Sequence, residues 1–129
     1  MSKNLSLLIV DSNRRTLDTM TKWFLQRGHQ VTAVMHPRQA LEAATFRDYD
    51  AAVIEQALPE KSGLQLMRKL RGLVGDLRVI LLSSDPNSLT RQEALQCGAH
   101  ELLYKTCQLR EIDSCLTDTA PAVEEFEVT

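Results

Sequence analysis

Five short apolar segments recur along the chain, and each is followed by a pattern typical of an α-helix. The predicted strands are residues 5–10, 31–35, 51–54, 78–82 and 101–104. Between them, apolar residues return every three or four positions, which predicts helices with one buried face. Strands that alternate with helices favour a parallel sheet covered by helices on both faces. At 129 residues, we expect one such domain.

Local signals predict where several helices begin and end. Ser12 or Asn13 can cap the first helix with a side-chain oxygen, and Gly28 is suited to end it. Pro37 fits the first turn of the second helix. We expect a fourth helix over residues 86–97, opened by a proline and closed by a glycine.

Composition excludes several classes of protein. The longest apolar runs are far shorter than the ~20 residues of a membrane span. The chain is 25% charged with a net charge of −2, which gives no sign of nucleic-acid binding. Its three cysteines lack metal-binding spacing, so we expect free thiols in a reducing cytoplasm. Residues 118–129 are acidic, and they are predicted to form a flexible tail or to begin a linker.

Polar side chains stand at the ends of four predicted strands. Asp11 ends the first strand, Glu55 the third, Ser83 the fourth and Lys105 the fifth. Open α/β sheets place their ligands at the carboxyl ends of the strands. Any one of these residues could be a cap or a solvated side chain. Four of them at four strand ends favour a functional site.

Several motifs carry a family resemblance, and they occur in one order along the chain. They are LLIVD at residues 7–11, P-x-x-x-G at residues 59–63, Ser83, Cys97-Gly98-Ala99 and Lys105. With these motifs, residues 4 to about 117 resemble the receiver domain of bacterial two-component response regulators, and we expect that domain to span residues 1–117. The resemblance implies a flavodoxin-like (βα)5 fold, a three-layer α/β sandwich whose five parallel strands have the order 2-1-3-4-5.

The resemblance also implies roles for individual positions. In this family an aspartate four residues before the loop proline takes a phosphoryl group from a histidine kinase, and acids beside it hold Mg²⁺. Here the phosphoacceptor position is Glu55. The metal positions are Asp11, Glu55 and the carbonyl of Ala57, and Ser12 takes the place of a second acid. The phosphate-binding positions are Ser83, Ser84 and Lys105.

Two departures from the family pattern affect the chemistry. Glu55 is longer than aspartate by one methylene, about 1.5 Å, and a misplacement of ~1 Å can cost ~10²-fold in rate. Ser12 lacks the carboxylate that Mg²⁺ prefers. We therefore expect an atypical receiver, or pseudo-receiver, that is not phosphorylated and is not an enzyme. Mg²⁺ should bind weakly or not at all, and a pair between Glu55 and Lys105 should fix one signalling state.

Two further departures concern the fifth strand and the loop after it. Thr106 follows Lys105 where receivers usually carry a cis proline, so we expect a trans bond there. Leu102 replaces the aromatic residue that swings with the active-site hydroxyl in many receivers.

Two alternatives stay open at this point: a working receiver still controlled by a histidine kinase, and a flavodoxin-like ligand-binding protein. The expected partner is a histidine kinase, an output domain or another signalling protein, and neither a membrane nor nucleic acid. A homodimer could use the face formed by the fourth helix, fifth strand and fifth helix. That face is expected to present Arg91, Gln92, Arg110 and Asp113.

Overall fold

A computed structural model describes residues 4–117, in which five parallel strands form one sheet with the order β2-β1-β3-β4-β5. The strands are β1 (Ser6–Val10), β2 (Gln30–Val34), β3 (Ala51–Glu55), β4 (Arg78–Ser83) and β5 (Glu101–Tyr104). The helices are α1 (Arg14–Gln26), α2 (Pro37–Phe46), α3 (Gly63–Leu73), α4 (Arg91–Gln96) and α5 (Leu109–Thr117). This architecture confirms the predicted flavodoxin-like fold and strand order.

The central strands separate two buried layers of helices. Successive side chains of a strand point to opposite faces of the sheet. Leu8 and Ile54 therefore join one core with α2, α3 and α4, whereas Leu7 and Val53 join the other with α1 and α5. All four side chains are fully buried, which explains why these strands read as almost continuous apolar runs.

The strand register brings three strand ends to one edge. Val10 of β1 lies beside Ile54 of β3, and Glu55 lies beside Leu82 of β4. The backbone N–H of Lys105 then donates to the carbonyl of Ser83 at 2.9 Å, so the fifth strand ends at the same level. The polar residues at the ends of β1, β3 and β5 therefore share the carboxyl edge of the sheet.

The predicted caps of the first two helices are present. The Asn13 side chain accepts a hydrogen bond from the N–H of Thr16 at 3.0 Å, which satisfies one donor at the start of α1. Gly28 follows α1 with φ +94°, a backbone conformation that favours glycine. Pro37 is the first residue of α2. The peptide bond between Lys105 and Thr106 is trans, as expected.

The prediction that α4 spans residues 86–97 was wrong at its start. The helix begins at Arg91, and Thr90 is its N-cap in a capping box with Glu93. Pro86 belongs to the preceding turn, where the Asp85 carboxylate accepts from the N–H of Asn87 at 2.9 Å. The side-chain turn at Asp85 competes with a helix for these backbone groups.

The predicted polar surface on α4, β5 and α5 also needs correction. Asp113 is buried against the α1 side of the domain, 3.0 Å from the ring of His29. Arg91 does lie at this surface, but its Nη2 already donates to Glu101 of the same chain at 3.0 Å. The Nε of Arg110 donates to Oε1 of Gln108 at 3.0 Å. Three of the four polar residues expected to serve a partner are therefore engaged within the chain.

Within residues 4–117, no helix has the length and apolar character needed to cross a bilayer. The predicted acidic tail, residues 118–129, lies outside the described residues, and its flexibility stays a prediction.

Candidate functional site

Two acids and a lysine meet at the carboxyl edge of the sheet. The Nζ atom of Lys105 lies 2.9 Å from Oε2 of Glu55 and 3.0 Å from Oδ2 of Asp11. The three residues come from the ends of β1, β3 and β5, so the parallel topology brings them together. The Asp11 side chain is fully buried, and those of Glu55 and Lys105 are 11% and 21% exposed.

The second oxygen of Glu55 is held by Ser12. Oε1 accepts from the backbone N–H of Ser12 at 2.8 Å and from its hydroxyl at 2.7 Å. Because Lys105 donates to Oε2, both oxygens of this carboxylate have donors. The longer side chain of glutamate thus spans from β3 to the loop after β1 and is fixed at both oxygens.

Burial and hydrogen bonding act in opposite directions on this ion pair. Burial raises the pKa of Glu55, but donors on Ser12 and Lys105 together outweigh it and hold that pKa below its ordinary value. Burial likewise lowers the pKa of Lys105, but Glu55 and Asp11 outweigh it and raise that pKa. Both shifts favour the charged forms, so the pair is ionised at neutral pH.

Asp11 is less well satisfied than Glu55. Its Oδ1 atom accepts from the N–H of Asn13 at 2.8 Å. Its Oδ2 atom is buried and receives no hydrogen bond from any residue between 4 and 117. The ammonium of Lys105 is close to Oδ2, but it lies outside hydrogen-bond geometry. Burial is the largest influence on Asp11 and raises its pKa, against the opposing effects of Asn13 and Lys105.

The remaining predicted positions are Ser83, Ser84 and Ala57, and the hydroxyl of Ser83 is bonded within its own loop. The Ser83 hydroxyl donates to the Asp85 carbonyl at 2.9 Å and accepts from the Asp85 N–H at 3.2 Å. It therefore closes a local turn. Ser84 and Ala57 are exposed on the loops after β4 and β3. The sequence predicted that Asp11, Glu55, Ser83 and Lys105 meet at this edge. The structure brings the side chains of Asp11, Glu55 and Lys105 into direct contact.

Gly63 fixes the position of the loop that follows Glu55. Its N–H donates to the carbonyl of Gln56 at 2.9 Å. A Cβ atom at position 63 would clash with the carbonyl oxygen of Glu55 and lie 3.0 Å from Cα of Gln56. Helix α3 therefore begins in direct backbone contact with the end of β3, which only glycine permits.

The site does not fit the Mg²⁺ ion that the family resemblance implies. Mg²⁺ takes six oxygen ligands in near-octahedral geometry, usually from carboxylates and water. Both oxygens of Glu55 already accept hydrogen bonds, and the Ser12 hydroxyl donates one of them. Among the carboxylate oxygens of Asp11 and Glu55, Oδ2 of Asp11 is the one without a hydrogen bond from residues 4–117. Residues 4–117 contain no group of three or more His, Cys, Asp or Glu side chains suited to hold a metal.

A second buried polar cluster was not predicted from the sequence. The Nδ1 atom of His29 accepts from the Leu5 N–H at 3.0 Å, and Nε2 lies 3.0 Å from Oδ1 of Asp113. Since Nδ1 accepts a hydrogen bond, the ring proton is on Nε2, and the Nε2–H group donates a hydrogen bond to Asp113. Arg27 adds a longer contact of 3.4 Å to Oδ2. This cluster ties α5 to the start of β1, at the opposite edge of the sheet from Glu55.

Comparison with known proteins gives one consistent family. Two-component response regulator PhoP of Pseudomonas aeruginosa is 30% identical over 112 residues, which cover 87% of this chain and 50% of that protein. Response regulator MprA of Mycolicibacterium vanbaalenii is 27% identical, over 82% of this chain and 46% of that protein. The chain therefore spans about half the length of these two relatives.

Solved structures give the same result. A receiver domain from Methylobacillus flagellatus is 28% identical, with a TM-score of 0.78 and coverage of 88% of this chain and 97% of that one. A response regulator from Burkholderia pseudomallei is 25% identical, with a TM-score of 0.79 and coverage of 88% and 66%. Its structure contains a phosphorylated aspartic acid, a calcium ion and citrate. Residues 7–117 match the response regulator receiver domain family, and the chain belongs to that family.

Proposed function

We propose that this chain is an atypical receiver module that acts in two-component signalling through protein contacts and is not switched by phosphorylation. The observation that carries the proposal is the engagement of Glu55. Ser12 donates twice to one carboxylate oxygen and Lys105 donates to the other. A carboxylate that accepts a phosphoryl group needs an oxygen free to attack phosphorus in line with the leaving group.

Placement and charge add to this argument. The extra methylene of Glu55 carries its carboxylate about 1.5 Å beyond the reach of an aspartate. Phosphoryl transfer is catalysed mainly by positioning and by cations that neutralise developing charge. The residues around Glu55 do not fit a divalent metal, so both contributions are weakened. The module acts by binding a partner, without turnover of a substrate.

The fixed ion pair favours a single conformation of the signalling surface. Lys105 follows β5, and its ammonium is tied to β3 and β1 through Glu55 and Asp11. The loop that leads into α5 is therefore held from one end. A partner that recognises α4, β5 and α5 would meet a constant surface, in keeping with an interaction module of the cytoplasm. The partner is a histidine kinase, an output domain or another signalling protein.

Phosphorylation by a small donor tests the proposal. The wild-type chain is incubated with acetyl phosphate and Mg²⁺ and analysed by intact mass spectrometry. We expect no phosphorylated species, because both oxygens of Glu55 are held by donors and its carboxylate lies beyond the reach of an aspartate. A matched positive control is an established aspartate-bearing receiver under the same conditions. A gain of one phosphoryl group that maps to Glu55 would disprove the proposal.

The alternative is a receiver that still accepts a phosphoryl group under control of a histidine kinase. Membership of the family favours it, as does the phosphorylated aspartic acid of the Burkholderia pseudomallei regulator. Under this alternative, Glu55 would release Ser12 or Lys105 before the reaction. The same experiment decides between the two functions, because only the alternative yields a phosphorylated chain.

A further inference from the structure

We propose that residues 124–128, in the acidic segment after α5, bind to the edge of β2 as a sixth parallel strand. These residues lie outside the described part of the chain. Their sequence and the described edge that would receive them both favour the contact. It goes beyond the proposed function, because the edge of β2 is a different surface from the Glu55 site and from the face of α4, β5 and α5.

β2 is an edge strand with backbone groups directed out of the sheet. Among the described strands, its one neighbour is β1. The carbonyl of Val34 accepts from the N–H of Asp11 at 3.1 Å, so Val34 faces β1. Alternate residues of a strand direct their backbone groups to the same side, so Val31 and Ala33 direct theirs away from β1. The strand reads QVTAV and has neither the charge nor the proline with which natural edges resist pairing.

A groove beside this edge can receive side chains. It lies between β2, α1 and the start of α2, and its lining includes Ala33 and Met35 on one side and Leu17 and Thr21 on the other. Leu25 follows Thr21 by four residues, so it lies on the same side of α1. Its side chain is 51% exposed, which is unusual for a leucine. The groove therefore continues as an apolar surface along α1.

The sequence after α5 has a pattern that fits this groove. The acidity of residues 118–129 favours a flexible tail, but residues 124–128 read EEFEV, in which one acid separates Phe126 from Val128. Such alternation is typical of a strand with one apolar face. That face would pack against the groove, while the glutamates project to the opposite side.

Charge favours the same edge of the sheet. Residues 118–129 contain four acids and no base. The exposed surface of α1 near the groove carries Arg14, Arg15 and Lys22 against one acid. Opposite charges attract the acidic segment to this side of the domain. The strand at the other edge, β5, contains Glu101, which would repel it.

The handedness of the fold also selects β2. Ile112 of α5 and Leu17 of α1 belong to the same core, so both helices cover the same face of the sheet. The connection from β1 through α1 crosses this face towards the β2 edge. Crossovers between parallel strands are almost always right-handed. A strand that follows α5 therefore has to add beside β2, because at the β5 edge the crossover would be left-handed.

The connecting residues are long enough for this crossover. Arg78, the first residue of β4, donates to the carbonyl of Cys115 at 2.9 Å, so α5 ends at the amino edge of the sheet. A strand that starts there runs parallel to β2. From β4 past β3, β1 and β2 to the new position there are four strand spacings of about 4.8 Å, or ~19 Å. Residues 118–123 span up to ~20 Å when extended.

Amide hydrogen exchange, followed by nuclear magnetic resonance, tests the contact in the full chain. A new strand should protect the N–H groups of Val31 and Ala33, as β1 protects that of Val34. We expect Phe126→Asp to speed exchange at Val31 and Ala33 by at least about tenfold and to leave Val34 unchanged. Ala122→Asp is the matched control, because it adds the same charge within the connecting residues. It should leave all three exchange rates near those of the wild type.

Four results would overturn the proposal. They are rapid exchange at Val31 and Ala33 in the wild type, protection that survives Phe126→Asp, and an equal loss of protection in Ala122→Asp. The fourth is protection that rises with protein concentration, which would assign the edge to a second copy of the chain. Phosphorylation of Glu55 plays no part in these measurements, so failure here and failure of the proposed function can be told apart.

Discussion

Two buried aspartates, at opposite edges of the sheet, differ in how completely their carboxylate oxygens are paired. Asp113 has a partner on each oxygen, His29 at 3.0 Å and Arg27 at 3.4 Å. Asp11 has a buried oxygen with no hydrogen bond from residues 4–117. Buried polar groups are normally paired unless function has set their position. The cluster at the amino edge therefore has its hydrogen bonds satisfied, whereas the cluster at the carboxyl edge leaves one buried carboxylate oxygen without a hydrogen bond.

The largest expected effect comes from breaking the well-satisfied cluster. Asp113→Ala leaves the Nε2–H of His29 buried without an acceptor. We expect the free energy of unfolding to fall by about 2 to 4 kcal/mol, measured by urea denaturation at neutral pH. Arg27→Ala is the control, because Arg27 is half-exposed and its contact is long. It should cost under about 1 kcal/mol. Equal losses in the two variants would contradict this account.

The next effect tests how Ser12 and Glu55 depend on each other. Ser12→Asp replaces a donor to Glu55 with a second carboxylate beside it, and we expect a loss of about 2 kcal/mol in unfolding free energy. Adding Glu55→Asp withdraws the acceptor by about 1.5 Å. The double variant should regain stability in Mg²⁺ and bind beryllofluoride, which each single variant should do poorly.

The double variant Ser12→Asp with Glu55→Asp can also contradict the assignment of the site. Because the two residues are in contact, their effects should be strongly non-additive. Additive stability changes together with no Mg²⁺-dependent binding of beryllofluoride, in a folded protein, would show that the positions assigned to the site are wrong.

A pH series on Glu55→Gln gives a smaller effect with a defined sign. The pKa of Glu55 is lowered in the folded chain, so its ionised form stabilises the fold above the unfolded pKa, near 4.5. That contribution is lost as the pH falls through the folded value. We expect the wild type to exceed the variant by about 1 to 2 kcal/mol at neutral pH. The gap should shrink towards zero in acid. A gap that widens on acidification would refute the assigned direction.

The smallest effect is expected for Ser12→Ala. This change removes the hydroxyl donor to Glu55 but keeps the backbone N–H, which donates at 2.8 Å. We expect a loss of about 1 kcal/mol in urea denaturation. Ser84→Ala, on an exposed loop residue, is the matched control and should be close to neutral. A loss above that of Glu55→Gln would mean that Ser12 has a role beyond holding Glu55.

The sequence predicted the fold because its patterns are local. Apolar runs, helical periodicity and caps at Asn13, Gly28 and Pro37 each concern a few neighbouring residues, and the parallel topology then places strand ends together. The predicted start of α4 was wrong because proline is common in the first turn of a helix, but here Pro86 lies in a turn and Thr90 caps the helix. The T-x-x-E pattern from Thr90 to Glu93 was the available signal, since a capping box marks the first turn of a helix.

The polar contacts were harder to predict from the sequence, because they join atoms of residues that are far apart along the chain. Asp113 follows Ile112, which is buried, so helical phase alone leaves it near the edge of the apolar face. Its partner His29 lies 84 residues away, and the sequence does not indicate that pairing. The hydrogen-bond partner of the Ser83 hydroxyl could not be predicted from the sequence either. A hydroxyl rotates to suit its neighbours, and the turn at Asp85 supplied nearer partners.

The close approach at Gly63 bears on how such proteins are recognised from their motifs. The glycine of P-x-x-x-G is required because a larger residue would collide with the backbone at Glu55 and Gln56. That requirement is steric, and it holds whether position 55 carries an aspartate or a glutamate. The motif therefore reports how α3 is joined to β3 and carries no information about phosphorylation. A search that relies on it will find active and inactive receivers alike, and the residues at positions 12 and 55 must separate them.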